Sequence, residues 1–112
     1  MQHPLRGVVT PMVTPMSSPT ELDPAGIDRL LEHLIAGGTS GVFALGTTGE
    51  AAALGLSLRR KALKQICETV AGRVRVIAAV SDPSLPEAIA LARHAADVGA
   101  DAVAVSAPYY IP

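Results

Sequence analysis

Gly41-Val42-Phe43-Ala44-Leu45-Gly46-Thr47-Thr48-Gly49-Glu50 is the stretch whose reading decides the fold. The apolar run Gly41 to Leu45 predicts a buried strand, because five consecutive apolar residues bounded by turn formers are too short for a helix. Two glycines then let the backbone turn tightly and come close to a ligand. The two threonines between them put hydroxyl and N–H groups at the strand's carboxyl end, where parallel α/β proteins bind their ligands. Taken alone, Gly46 to Glu50 suits an ordinary strand-to-helix turn as well as a binding turn, since Gly and Thr serve both. The ends of the other strands decide between the two.

Upstream, Gly7 to Met16 predicts a first strand, short or interrupted by Pro11 and Pro15, ending near Thr14. Ser17 to Leu22 reads as a polar loop. Asp23 as N-cap and Pro24 at the first helical position open a helix. Its apolar stripe is Ile27, Leu30, Leu31, Leu34 and Ile35, which leaves His33 on the solvated face, and Gly37-Gly38 closes it. Downstream, Ser57 is the expected cap of a second helix with Leu63, Ile66, Cys67 and Val70 inward. Arg59, Arg60, Lys61, Lys64 and Glu68 read as its wet face, and Gly72 as its end. Arg75 to Val80 predicts a third strand. Ser84-Leu85-Pro86-Glu87 resembles a capping box for a third helix with Ile89, Ala92, Ala95 and Ala96 towards the core and His94 beside them. Gly99 ends that helix, and Ala102 to Ser106 predicts a fourth strand before Pro108-Tyr109-Tyr110.

Strands and helices thus alternate with the spacing of βαβ units, so the strands are expected to be parallel. A (β/α)8 barrel and an open doubly wound sheet both use this pattern. No G-x-G-x-x-G and no phosphate-loop motif is present, which removes the usual nucleotide turns of open sheets. Polar groups stand at every strand's carboxyl end: Thr14; Thr47 and Thr48; Ser81 and Asp82; Ser106, Tyr109 and Tyr110. In a barrel those loops converge on one face. The expected fold class is therefore α/β, with parallel βα repeats forming the N-terminal half, about four strands and three helices, of a (β/α)8 TIM barrel. Residues 1–112 are read as a single partial domain.

Composition narrows the function classes. The net charge is −1 with no basic stripe, so no nucleic-acid partner is expected. No apolar run reaches the roughly 18 residues a membrane span needs, and the first residues lack the pattern of a secretory signal. The single cysteine, Cys67, excludes a disulfide within the chain and reads as a buried helix thiol in a reduced, cytoplasmic setting.

With the strand ends placed, the chain resembles the N-terminal half of the dihydrodipicolinate synthase / N-acetylneuraminate lyase family of class I pyruvate-dependent aldolases. Val13-Thr14-Pro15-Met16, Gly46-Thr47-Thr48-Gly49-Glu50, Val76-Ile77-Ala78 and Pro108-Tyr109-Tyr110 carry the resemblance, in that order. It implies a lyase that needs no cofactor or metal and works through a Schiff base. Its partners would be pyruvate or a related 2-oxo acid and an aldehyde. Thr47 and Thr48, with Gly46 and Gly49, would hold the substrate carboxylate. Thr47 and Tyr110 would belong to a catalytic hydroxyl relay, Tyr110 entering from a neighbouring subunit of a homo-oligomer, a tetramer in the family.

The family's Schiff-base lysine belongs to the sixth strand, and its second catalytic tyrosine follows the fifth. Lys61 and Lys64 are the only lysines here, both on the expected wet face of the second helix, where an amine stays protonated. The chain alone is therefore expected to be inactive. Ile111 replaces the usual asparagine, Ala79-Val80-Ser81-Asp82 replaces a glycine-rich loop, and Ala51, Leu54 and Leu56 lack the polar groups with which lysine-inhibited synthases bind lysine. Gly-Thr-Thr favours the synthase branch. The alternatives are a related 2-keto-3-deoxy sugar acid aldolase or N-acetylneuraminate lyase-like enzyme, and a non-enzymatic half-barrel that associates with a partner chain.

Overall fold

A computed structural model describes residues 5–106. The elements are β1 (Val9–Pro11), β2 (Met16–Ser18), β3 (Glu21–Leu22), α1 (Pro24–Ala36), β4 (Gly41–Ala44), α2 (Leu56–Val70), β5 (Arg75–Ala79), α3 (Leu85–Val98) and β6 (Ala102–Ala104). Strands β1, β4, β5 and β6 form one parallel sheet in that order. Chain order and spatial order agree, as a barrel requires.

The register explains where the helices sit. Val42 pairs with Val76 and Ala44 with Ala78, and these four share one core with Ile27 and Leu31 of α1, Leu63, Ile66 and Val70 of α2, and Leu91 and Ala95 of α3. The alternate residues, Phe43 paired with Ile77, must point to the opposite face, because side chains alternate along a strand. Helices from all three crossovers thus cover one face of the sheet. A doubly wound sheet carries helices on both. Burying side chains such as Ile27 and Leu31 contributes about 2 kcal/mol each.

Helix α1 follows its sequence signals. The Asp23 side chain accepts from the Gly26 N–H at 3.0 Å, Pro24 stands in the first turn, and Gly38 beyond the end takes φ +94°. His33 is exposed, as expected. Gly99, at φ +96°, ends α3 as predicted.

Five expectations need correction. Ser17 to Leu22 is not a plain loop: β2 and β3 pair antiparallel with a bulge between Met16 and Ser18. Helix α2 starts two residues earlier than a Ser57 cap allows: Gly55 is the N-cap, with no capping side chain. Its C-cap is Ala71 at φ +50°, ahead of Gly72. In α3 the inward residues are Leu91 and Ala95, while Ile89 and Ala96 are exposed. An alanine-rich helix has too weak an apolar stripe to fix its own rotation, and packing against α2 and β6 decides it. Lastly, Arg59 is buried, at 6% exposed. No helix among the described residues is long and apolar enough to cross a membrane.

Candidate functional site

The carboxyl ends of β4, β5 and β6 surround a cavity of about 320 Å³, with Phe43, Gly46, Thr47, Ser81 and Ser106 in its lining. Among the described residues, Glu50 is the one ionisable side chain in that lining.

The turn after β4 is built by close approach and backbone strain. A Cβ on Gly46 would lie 2.3 Å from Phe43 Cε1, and a Cβ on Gly49 2.9 Å from the Leu45 backbone nitrogen. Leu45 (φ 62°) and Glu50 (φ 57°) bracket the turn in the left-handed region, which costs a non-glycine residue about 1–2 kcal/mol. The strain is held by neighbours. The Leu45 side chain is buried, and the buried Thr14 hydroxyl donates to the Gly49 carbonyl at 2.8 Å. The Glu50 N–H donates to the Thr47 carbonyl at 3.0 Å. Thr47 and Thr48 are exposed, and among the described residues neither their N–H groups nor their hydroxyls reach an acceptor.

The predicted residues divide as follows. Gly46 and Thr47 line the cavity; Gly49 is buried beneath it, clamped by Thr14; Thr48 is exposed and lies off the lining. Tyr110, with the rest of residues 107–112, lies outside the described residues. Lys61 and Lys64 are exposed on α2 and do not line the cavity. His94 is half-buried, its Nε2 3.0 Å from the Arg60 carbonyl, which is a structural role. Burial, assisted by Asp101 and Glu68, pushes the Cys67 thiol up to about 11, so it is not a nucleophile near neutral pH.

The loop after β5 holds what the sequence reading missed. Arg59 Nη2 meets Asp82 Oδ1 at 2.6 Å and Nη1 donates to the Ser81 carbonyl at 3.2 Å. The Ser84 N–H and the Arg59 guanidinium hold the Asp82 carboxyl below the usual carboxylate range. That N–H bond, 3.0 Å to Asp82 Oδ2, also explains why the expected capping box is not made: Ser84 is the N-cap, but its N–H is taken by Asp82, not Glu87. The signal for Arg59 was in the sequence. It stands four residues before Leu63, on the stripe that continues through Ile66 and Val70. Arg59 and Asp82, with Leu54 and Leu56, line a second cleft of about 390 Å³, which shares Ser81 with the first.

The family model described as the dihydrodipicolinate synthetase family matches residues 4–112. The chain belongs to the dihydrodipicolinate synthetase family. Among its relatives, a 4-hydroxy-tetrahydrodipicolinate synthase of Gluconacetobacter diazotrophicus is 41% identical over 105 residues, covering 94% of this chain and 35% of that protein. The structure of dihydrodipicolinate synthase from Bacteroides thetaiotaomicron matches with a TM-score of 0.95 and 46% identity, over all of this chain and 38% of that one. A prophage protein of the dihydrodipicolinic acid synthase family from E. coli K12, solved in complex with pyruvate, matches with a TM-score of 0.90 and 33% identity, over 94% of this chain and 35% of that one. The chain thus spans a little over a third of the length of these family members, and it corresponds to the N-terminal part of their barrel.

Proposed function

We propose that this chain supplies the carboxylate-binding corner of a Schiff-base-forming lyase. The reaction would condense or cleave pyruvate, or a related 2-oxo acid, with an aldehyde, in the manner of a 4-hydroxy-tetrahydrodipicolinate synthase. One observation carries the reading: Thr47 and Thr48 leave their N–H and hydroxyl groups without internal acceptors, on a backbone already fixed by Thr14 and the close approach at Gly49. Donors aimed before the ligand arrives need little reorganisation, so they favour a developing or bound anion strongly. Gly46 and Gly49 leave room for the turn, and Thr47 is assigned both carboxylate binding and a place in the hydroxyl relay. Tyr110 is assigned to the same relay, contributed from a neighbouring subunit of a homotetramer. The pyruvate complex of the prophage relative supports a 2-oxo acid in this role.

The nucleophile that would attack the pyruvate carbonyl, losing water to form the Schiff base, is by family resemblance a lysine beyond β6, in the part of the barrel that this sequence does not span. In a polypeptide that carries this chain together with those strands, borohydride and pyruvate should leave one reduced adduct. Absence of any adduct there would sink the Schiff-base reading. On the 112-residue chain itself no adduct is expected, since Lys61 and Lys64 are exposed on α2. Thr47→Val in the longer form should raise the pyruvate KM by about tenfold, the cost of one bond to a charged group; unchanged kinetics would remove Thr47 from the site.

A second reading draws on a different observation. Val103 and Val105, on and beside β6, are 46% and 61% exposed at an edge of the sheet. An open apolar edge favours association with a partner chain. A non-enzymatic half-barrel would then be concentration-dependent in sedimentation and bind no pyruvate.

A further inference from the structure

Two polar side chains among the described residues are buried, Thr14 and Arg59. Thr14 clamps the threonine turn. Arg59, on α2, makes its bonds to the loop after β5. Its guanidinium grips Ser81 and Asp82 on the β5–α3 loop, and each of these passes the constraint on. Asp82 Oδ2 accepts the Ser84 N–H at 3.0 Å, at the start of α3. Ser81 Oγ accepts the Ser106 N–H at 2.8 Å, just past β6. Both Ser81 and Ser106 line the cavity that Thr47 lines.

Stability alone is a poor reason for this arrangement. Burying an ion pair costs desolvation that an apolar pair of the same size avoids. Here the cost is higher, because the buried Arg59 Nε finds no acceptor. A fork that grips two successive residues does, however, fix a loop in two directions, which a lysine could not do.

We propose that Arg59 is a positioning residue for the candidate site: through Ser81 it sets Ser106 and so the part of the cavity wall contributed by β6. The assignment rests on the reading of that cavity as a 2-oxo acid site, and the test separates the two. Amide hydrogen exchange and a pyruvate titration are followed by NMR on the full 112-residue chain. In Arg59→Met and in Asp82→Asn, exchange at Ser106 should speed up by about tenfold while Val42 and Val76, in the sheet interior, stay protected. Pyruvate should bind several-fold more weakly. Ser81→Ala should loosen Ser106 but leave Ser84 protected, whereas Asp82→Asn should loosen both. Arg59→Lys should restore part of the Ser84 protection and little of that at Ser106. Exchange that accelerates equally at Val42, Val76 and Ser106 makes Arg59 a general stabiliser and overturns the proposal, as does unchanged exchange at Ser106 in a folded variant. Should Arg59→Met fail to fold, the conservative Asp82→Asn and Ser81→Ala carry the same test. If the unmodified chain binds no pyruvate, the 2-oxo acid reading fails, and the Ser106 exchange still decides the positioning role.

Discussion

The loops after β4 and β5 leave the sheet side by side, from the paired residues Ala44 and Ala78, and treat their polar groups in opposite ways. After β4 the threonines stand exposed, with donors unsatisfied among the described residues, on a backbone bent through the left-handed region at Leu45 and Glu50. After β5 the polar groups are paired: Asp82 with Arg59 and the Ser84 N–H, Ser81 with Arg59 and the Ser106 N–H. The first loop is shaped by sterics and leaves its donors without acceptors among the described residues. The second uses its donors and acceptors to hold itself, α3 and β6 in place. Two neighbouring loops of similar position thus differ in kind: one exposes its polar groups, the other spends them on support.

Breaking the supporting side should have the largest effect. Arg59→Ala removes both grips on the β5–α3 loop, and amide exchange at Ser84 and Ser106 should speed up by about a hundredfold while the urea midpoint moves little, because Asp82, 16% exposed, stays within reach of water. Next is Gly49→Ala, whose added Cβ meets the Leu45 backbone at 2.9 Å and Thr14 Oγ1 at 3.2 Å. Because that backbone is already strained, the expected loss is about 2 kcal/mol, together with weaker pyruvate binding. A loss in stability without any change in binding would mean that the turn is not the ligand corner.

Acid should sharpen the contrast. Asp82 has its folded pKa held below the ordinary carboxylate value, chiefly by the Ser84 N–H. A depressed carboxylate contributes stability that is fully present above its unfolded pKa and is lost as pH falls through the folded one. The stability difference between the parent chain and Asp82→Asn should therefore be constant from neutral pH to about 5 and shrink below about 4. A difference that stays constant down to pH 3 would contradict the pairing. The smallest effect is expected at Glu50→Asn. Asparagine tolerates the left-handed region better, so this exposed position should gain about 0.5 kcal/mol in thermal or urea unfolding.

Much of the architecture was legible because it depends on periodicity. Asp23, Pro24 and the Ile27–Leu31 stripe specify α1 locally, and the apolar run at Val42 to Ala44 reads as a buried strand, although the strand stops one residue short of the expected Leu45. The turn after β4 became legible as a candidate site only beside the polar groups at the other strand ends, since Gly and Thr suit an ordinary turn equally well. What could not be read depends on contacts between distant segments. Asp82 takes the Ser84 N–H and so displaces a capping box that the local sequence favours. Met16 and Ser18 find partners in Leu22 and Glu21 only because the chain doubles back there, although prolines flank the region. Arg59 sits on an apolar stripe, yet a charge that is buried by a carboxylate 23 residues away looks in sequence like one that faces water.

Leu45 carries a consequence for mutational tolerance. It is 4% exposed and its φ is +62°. Isoleucine and valine match it in hydrophobicity, but branching at Cβ makes the left-handed region a genuine outlier for them. Methionine, unbranched and similar in volume, does not carry that penalty. Substitution at this position is thus filtered by the shape of the side chain at its first carbon, and a scale of hydrophobicity would rank the permitted residues wrongly.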